Sequence, residues 1–225
     1  MPRVLLFDID GTLLQSHGVG RESVNAALRD LVGDTFDFTD VSFSGKTDPQ
    51  IFREVLEAAG RCGIDVSGAT PERFGELYRA EMDARLPEAR VEALPGAVAL
   101  VQRLATENAE MGLLTGNIQP LAYAKVGRIG LGEAEFPFGA FGSDHHDRNA
   151  LPAVGAERAS AHLGRTVDPA ELVIIGDTPR DVACARAAGA AVVAVATGRY
   201  DAHQLREADL VLDSLEAFSL DALAA

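Results

Sequence analysis

The chain has 225 residues, of which 47% are hydrophobic and 24% charged, so it is long enough to bury a substantial core. Thirty-four acidic residues against 20 basic ones give a formal net charge of −14. That balance argues against binding to nucleic acid or to an anionic membrane surface. The longest mainly apolar stretch, residues 187–196, is about half as long as a membrane-spanning helix must be.

The N-terminal residues and the cysteines bear on the cellular compartment of the protein. The apolar run Val4–Phe7 is followed at once by Asp8 and Asp10, so no secretory signal fits the N-terminus. The two cysteines, Cys62 and Cys184, are far apart and lack the spacing of metal ligands. We therefore expect free thiols and a cytoplasmic protein.

Short apolar runs predict the strands of a buried sheet. They are continuously apolar rather than alternating, which is typical of strands covered on both faces. Helical patterns separate them, as in parallel crossover units. The predicted fold class is α/β, with a doubly wound, Rossmann-like parallel sheet. The predicted strands are Val4–Phe7, Met111–Leu114, Leu172–Ile175, Ala191–Ala196 and Leu210–Leu212.

The helical patterns divide the chain into two parts. Between the first strand and Met111 we find no convincing strand, but several helical patterns. We expect this segment to be a helical insertion whose limits are the turn residues near Gln15 and Pro95. The prediction is a core domain of residues 1–14 and 96–225 and a cap domain of residues 15–95. The predicted cap helices are 23–31, 49–59 and 71–86, and those of the core are 95–107, 120–129, 152–163 and the one ending at Gly189.

Two polar stretches follow the first two of these strands. The carboxyl ends of parallel strands are where open α/β sheets bind ligands, so the stretches should converge. Asp8 and Asp10 follow the first strand; one carboxylate can attack while the other, if protonated, donates to a leaving group. A turn with two solvated aspartates is the alternative. Thr115-Gly116-Asn117 offers a hydroxyl and backbone amides to phosphoryl oxygens, or is an ordinary turn.

A third stretch, residues 176–181, contains Asp177 and Asp181 at another junction between a strand and a helix. Oxygen ligands of this kind suit Mg²⁺, which uses a few carboxylates together with substrate phosphate. A helix cap is the alternative role for Asp177.

In this order the three stretches resemble the haloacid dehalogenase superfamily, most of whose members are magnesium-dependent phosphatases. The resemblance covers essentially the whole chain, with Asp8 to Thr12 as the first motif, Thr115 as the second and Gly176 to Asp181 as the fourth. A helical insertion just after the first motif resembles the mobile cap of the phosphoglycolate phosphatase and β-phosphoglucomutase branch.

The resemblance implies a role for each of these residues. Asp8 would attack phosphorus to give an aspartyl-phosphate that water then cleaves, with Asp10 as acid first and base second. Mg²⁺ would be held by the Asp8 side chain, the Asp10 backbone carbonyl and Asp177. Thr115 would contact the transferring phosphoryl group. Gly116 and Asn117 would join it in binding substrate, and Asp181 would be a supporting contact.

The chain departs from the family pattern, which places a lysine between the second and fourth motifs. Its two lysines are Lys46 and Lys125. We expect Lys125, on the helix after Thr115, to face solvent, and Arg148 to supply the cationic group instead. A surface arginine on a loop is the alternative. Lys46, in the cap, could reach the substrate's leaving group or its phosphate, or could be solvated.

The expected function is magnesium-dependent hydrolysis of a small phosphomonoester, phosphoglycolate-like or a sugar phosphate, because a closing cap excludes polymers. A phosphomutase like β-phosphoglucomutase is the enzymatic alternative. A signalling receiver that forms an aspartyl-phosphate is disfavoured by the length and the insertion, and a non-catalytic binding protein by the intact acidic motifs. The expected partner is a small phosphate ester, with no nucleic acid and no membrane; the oligomeric state stays open.

Overall fold

A central sheet and surrounding helices make up the structure, a computed structural model that describes residues 3–33 and 35–220. In the described ranges the strands are β1 (Val4–Phe7), β2 (Leu14–Gln15), β3 (Glu92–Ala93), β4 (Glu110–Thr115), β5 (Gly139–Phe141), β6 (Leu172–Gly176), β7 (Ala191–Val195) and β8 (Leu210–Leu212). The α-helices are α1 (Val19–Val32), α2 (Asp48–Arg61), α3 (Pro71–Arg85), α4 (Ala97–Thr106), α5 (Gln119–Gly127), α6 (Leu151–Leu163) and α7 (Pro179–Ala188).

The large sheet is parallel throughout and has the strand order β5-β4-β1-β6-β7-β8. β1 lies between β4 and β6, with Phe7 opposite Leu113 on one side and Ile175 on the other. The strands that follow β1 in the chain are therefore added first on one side of it and then on the other. The carboxyl ends of β1, β4 and β6 are neighbours.

Helices cover both faces of this sheet, which explains why its strands are continuously apolar. From β1, Leu5 and Phe7 belong to the cluster that contains Leu100 of α4. Leu6, pointing the other way, belongs to the cluster that contains Ala156 of α6. The predicted α/β class and doubly wound sheet are confirmed.

Two details of the strand prediction are wrong. β5 is an edge strand that the sequence analysis missed; it has three residues, begins with Gly139 and pairs with the end of β4, so its apolar run is too short to stand out. β2 and β3 lie within the stretch where no strand was predicted. They pair antiparallel over two residues each, Leu14 opposite Ala93 and Gln15 opposite Glu92, at the two ends of the helical segment.

An apolar cluster joins the three helices of the helical segment and also includes Leu121 of α5. Leu28 of α1, Phe52 of α2, and Phe74 and Tyr78 of α3 are buried against one another. Thr47 and Thr70 begin α2 and α3 by accepting hydrogen bonds from the backbone N–H groups of Gln50 and Arg73. None of the helices in the described ranges combines the length and the apolar character needed to cross a bilayer.

Candidate active site

One cavity of about 280 Å³ lies at the carboxyl ends of β1, β4 and β6. The structure brings the separate sequence motifs together there, as the parallel sheet predicts. Its walls also include the helical segment and the loop after β7. The lining residues predicted from sequence are Asp8, Asp10, Lys46, Thr115, Gly116, Asn117, Arg148 and Asp177.

Arg148 lies at the base of the cavity in a buried ion-pair network. Its Nη2 is 3.2 Å from Asp8 Oδ2 and 2.5 Å from Asp181 Oδ1, and all three side chains are at most 7% exposed. Burial alone would lower the pKa of the guanidinium, but Asp181 and Asp8 raise it overall. Arg148 is therefore a fixed cation beside Asp8, and its buried Nε has no hydrogen-bond partner among the described residues.

Both carboxylate oxygens of Asp181 already have partners. Oδ1 accepts from Arg148, and Oδ2 accepts from the backbone N–H of Thr178 at 2.9 Å and from its hydroxyl at 2.7 Å. Thr178 and Asp181 thus form a capping box that begins α7. Thr178, not Asp177, is the N-cap residue, which leaves the Asp177 carboxylate available for another role.

Asp177 is a buried carboxylate with few hydrogen-bond donors around it. Among the described residues, the one hydrogen bond to its carboxylate is long: the Thr12 hydroxyl donates to Oδ1 at 3.4 Å. Burial, followed by the charges of Asp181 and Asp8, raises the pKa of Asp177 to about 9. Gly11 and Gly198 pack against this carboxylate so closely that a Cβ at either position would overlap it. The backbone thus holds the carboxylate in place beside other acidic groups.

The donor set fits a divalent cation. Asp8, Asp177 and Asp181 each offer a carboxylate oxygen, and these atoms lie within 4.8 Å of one another. Asp181 is occupied by Arg148 and Thr178, so Asp8 and Asp177 are the better placed pair. Hard oxygen ligands that carry negative charge suit a cation such as Mg²⁺.

Asp10 lies at the side of the cavity in a second polar network. Oδ2 accepts from Lys125 Nζ at 2.6 Å and from Asn117 Nδ2 at 2.9 Å, while Oδ1 accepts from the Ser16 hydroxyl at 3.0 Å. Burial favours a higher pKa for Asp10, but the Lys125 ammonium and these hydrogen bonds lower it overall. The side chain stays 40% exposed, so water and ligands can reach it.

The prediction that Lys125 faces solvent is wrong. Its side chain is 5% exposed, and Nζ donates to both Asp10 and Asn117 Oδ1, the latter at 2.7 Å. The sequence contained a signal for this: Leu121, Ala122, Lys125 and Val126 form the buried face of α5. A lysine in an apolar stripe buries its stem and brings its ammonium to a polar site beyond.

Thr115 and Asn117 follow β4 and share this network. Asn117 Nδ2 donates to the Thr115 hydroxyl oxygen at 2.8 Å, which leaves the hydroxyl proton free to be donated elsewhere. Gly116 lies directly under the helical segment, where a Cβ would overlap the Lys46 carbonyl oxygen. The turn therefore requires glycine at this position.

The segment Lys46-Thr47-Asp48 docks onto the loops of the sheet. The Asp48 N–H donates to Gly116 O at 2.7 Å, and the Asp48 carboxylate accepts from Ile118 N–H at 2.9 Å. The Thr47 hydroxyl donates to His146 O at 2.6 Å. Lys46 Nζ pairs with Glu54 while still lining the cavity, so it is an anchored cation rather than a solvated one.

Asp48 was not singled out from sequence as a site residue. It is buried, and that burial raises its pKa to about 6 although Lys125 acts in the opposite direction. Its partners lie some seventy positions away along the chain, in the turn after β4. No local sequence pattern predicts such a contact. The sequence around Asp48 indicates only that a helix, α2, begins there.

Sequence comparison places the chain among hydrolases. The family model "haloacid dehalogenase-like hydrolase" matches residues 2–189. Hexitol phosphatase A of Escherichia coli K12 is 30% identical, with 96% of this chain and 92% of that protein covered. Phosphoglycolate phosphatase of Rhodospirillum rubrum is 26% identical, with 88% of this chain and 81% of that protein covered.

Comparison with solved structures shows that other proteins share the fold of this chain. The crystal structure of CbbY from Rhodobacter sphaeroides in complex with phosphate superimposes with a TM-score of 0.80 at 20% sequence identity, and both chains are covered completely. The crystal structure of a predicted phosphoglycolate phosphatase from Haemophilus somnus has a TM-score of 0.76 at 18% identity, over 95% of each chain.

Proposed function

Because this chain belongs to the haloacid dehalogenase-like hydrolase family, we propose that it is a magnesium-dependent phosphatase that releases phosphate from a small phosphomonoester. Membership confirms the expected superfamily and, with it, the enzyme class of phosphoric monoester hydrolase. The observation that carries the proposal is the pairing of Asp8 with buried Arg148 at the base of a cavity that also holds Asp10, Thr115 and Asp177.

Asp8 is the proposed nucleophile. A carboxylate oxygen of Asp8 attacks phosphorus, the bond between phosphorus and the ester oxygen breaks, and the leaving oxygen takes a proton from Asp10. Water then attacks phosphorus in the aspartyl-phosphate, its proton passes to Asp10, and phosphate and the Asp8 carboxylate are released. The lowered pKa of Asp10 in the free protein suits the second step; the first requires its protonated form in the substrate complex.

Cationic and neutral donors surround the phosphoryl position. Asp8, the backbone carbonyl of Asp10 and Asp177 would hold Mg²⁺, which when bound offsets the repulsion between the Asp8 carboxylate and a phosphate dianion. Arg148 stabilises the same charge as a fixed cation beside Asp8. The Thr115 hydroxyl and the Gly116-Asn117 turn bind the remaining phosphoryl oxygens.

We infer that residues 15–95 act as the cap that selects substrate. Support comes from the apolar cluster that joins α1–α3 and from the short β2–β3 pair where the segment leaves the sheet. With Asp48 and Thr47 docked on the loops of the sheet, the cavity has room for a small molecule only. Relatives named for hexitol phosphate and phosphoglycolate support a small phosphate ester.

The test is a phosphate-release assay with phosphoglycolate, hexose and hexitol phosphates and nucleotides, each with Mg²⁺ and with EDTA. We expect release from one or a few small esters in Mg²⁺ and none in EDTA. A folded protein that releases no phosphate from any ester would contradict the proposal. Conversion of one sugar phosphate into its isomer without phosphate release would favour the mutase instead.

Removal of the Asp177 charge tests the metal site without measuring activity. Asp177→Asn takes away a buried carboxylate whose hydrogen bond from Thr12 is long, so in EDTA the Tm of the variant should exceed that of the unaltered protein, by about 2–4 °C for each kcal/mol gained. Mg²⁺ should raise the Tm of the unaltered protein but not that of the variant. Asp83→Asn, which alters an exposed carboxylate of α3, is the control. Equal Mg²⁺ shifts in all three proteins would rule out Asp177 as a ligand.

Lys125 is expected to position Asp10. Lys125→Met keeps the buried stem but removes the ammonium, so the Asp10 carboxylate loses its 2.6 Å partner. We expect kcat to fall by about 10- to 100-fold with a smaller change in KM, because the proton-transferring group is misplaced. Lys125→Arg should recover part of the rate. If Lys125→Met keeps full kcat, the ammonium has only a structural role.

A further inference from the structure

The loop after β7 contacts two other loops of the cavity, although the sequence analysis assigned it no role. Its residues 196–198 have the sequence Ala-Thr-Gly. The backbone N–H of Ala196 donates to Leu212 O at 2.8 Å, so the loop begins as a continuation of the pairing between β7 and β8. This hydrogen bond anchors the loop to the sheet just before Thr197 and Gly198.

Gly198 lies directly against the side chain of Asp177. A Cβ at position 198 would overlap Asp177 Oδ2 and would lie 2.6 Å from its Cγ, so a larger residue must displace the carboxylate. The φ angle of Gly198 is outside the left-handed region, so alanine could adopt the same backbone conformation. Glycine is therefore required here by the contact with Asp177 and not by the backbone.

Thr197 connects this contact to the turn after β1. Its hydroxyl donates to Gly11 O at 2.7 Å. Gly11 packs against the same Asp177 oxygen, because a Cβ at position 11 would also overlap Oδ2. The carboxylate thus lies between two backbone segments, and Thr197 joins them. Asp10, whose backbone carbonyl is a proposed Mg²⁺ ligand, directly precedes Gly11, so one loop contacts both metal-binding parts of the chain.

Asp177 depends on this packing because other groups do little to hold it. In the described part of the chain the one hydrogen bond to its carboxylate, from the Thr12 hydroxyl, is 3.4 Å long. Burial and then the charges of Asp181 and Asp8 raise the pKa of Asp177, so the neighbouring carboxylates repel its ionised form. A repelled side chain turns away unless its surroundings prevent it. The two glycine backbones occupy the space into which it would turn.

We propose that Thr197 and Gly198 are positioning residues for metal binding. Gly198 fixes the Asp177 carboxylate by packing against it, and Thr197 fixes the turn that contains Asp10 and Gly11. Both act through the metal ligands and are not ligands themselves. The inference rests on the proposed function and deepens it, since it assigns the loop after β7 to the Mg²⁺ site.

The first test measures Mg²⁺ affinity from the dependence of Tm on MgCl₂ concentration, without substrate. Gly198→Ala should raise the Kd for Mg²⁺ by about 10- to 100-fold, as is typical when a residue that orients a metal ligand is changed. Gly132→Ala is the matched control. It adds the same methyl group at a glycine that has nothing within 4 Å of the added Cβ and whose φ is also outside the left-handed region, so the Kd should not change.

A second test asks whether Gly198→Ala acts through Asp177. In EDTA this change should lower the Tm of the unaltered protein, because the carboxylate must move. It should lower the Tm of the Asp177→Ala variant much less, because Cγ and both oxygens are then absent. Equal decreases in the two backgrounds would overturn the proposed role of Gly198.

Thr197 is tested with a pair of variants that also serves if Gly198→Ala does not fold. Thr197→Val removes the hydroxyl but keeps the shape, and should raise the Kd for Mg²⁺ by about 3- to 10-fold. Thr197→Ser keeps the hydroxyl and should restore most of the affinity. Equal losses in both variants would overturn the role of this hydrogen bond.

The same protein samples separate this inference from the proposed function. If the unaltered protein binds Mg²⁺ and releases phosphate, but Gly198→Ala and Thr197→Val bind Mg²⁺ equally well, the inference is overturned and the phosphatase stands. An equal loss of affinity in Gly132→Ala would also overturn it. An unaltered protein that neither gains Tm in Mg²⁺ nor releases phosphate from any ester would overturn both.

Discussion

Asp8→Asn is expected to reduce phosphate release by at least about 10³-fold, because the amide oxygen is a poor nucleophile for phosphorus. The amide keeps the size of the carboxylate and can still accept a hydrogen bond from Arg148, so the fold should survive. The measurement is steady-state phosphate release on the best ester of the panel, with circular dichroism and Tm to confirm folding.

The matched control for this variant is Asp83→Asn, which makes the same chemical change at an exposed position of α3. It should retain the activity of the unaltered protein. Substantial turnover in Asp8→Asn, with the mass spectrum showing that the amide has not reverted to the acid, would contradict the covalent mechanism. Loss of activity in both variants would point to a general effect of charge instead.

Arg148→Ala should have the second largest effect, and it should act on both rate and stability. Removal of one preorganised donor to developing charge costs about 10²- to 10³-fold in kcat in comparable sites. The change also leaves Asp8 and Asp181 buried without their common partner, and breaking a buried pair costs about 3–5 kcal/mol. We therefore expect a lower Tm together with a lower kcat, measured in Mg²⁺.

Arg148→Lys separates these two effects. An ammonium restores a positive charge but not the fork that reaches Asp8 and Asp181 together, so part of the rate should return while the Tm remains below that of the unaltered protein. If Arg148→Ala were as active as the unaltered protein at a temperature where both are folded, Arg148 would be a structural residue only.

The sequence predicted the sheet and the place of its acidic residues for a simple physical reason. Strands buried on both faces must be continuously apolar, so β1, β4, β6 and β7 stand out, and a polar residue directly after such a strand must lie at the ligand-binding edge. Asp8, Thr115 and Asp177 were located in this way. β5 did not stand out, because a three-residue edge strand that begins with glycine has too little pattern.

The residues that the sequence missed owe their roles to contacts between distant segments. Lys125 could have been recognised from the buried face of α5, but its partner Asp10 is 115 positions away. Asp48 is a similar case, since a carboxylate at a helix start is commonly solvated. Its burial and its place in the cavity follow only from how the helical segment docks on the sheet.

The most direct test of the account is to trap the phosphoryl group on Asp8. Asp10→Asn removes the proposed base of the second step, and p-nitrophenyl phosphate has a leaving group that needs no acid in the first. In Mg²⁺ this variant should therefore accumulate aspartyl-phosphate. Borohydride reduction should then convert residue 8 to homoserine in the peptide map, only when the ester is present. A burst of nitrophenolate with an unmodified residue 8 would contradict the covalent mechanism at this site.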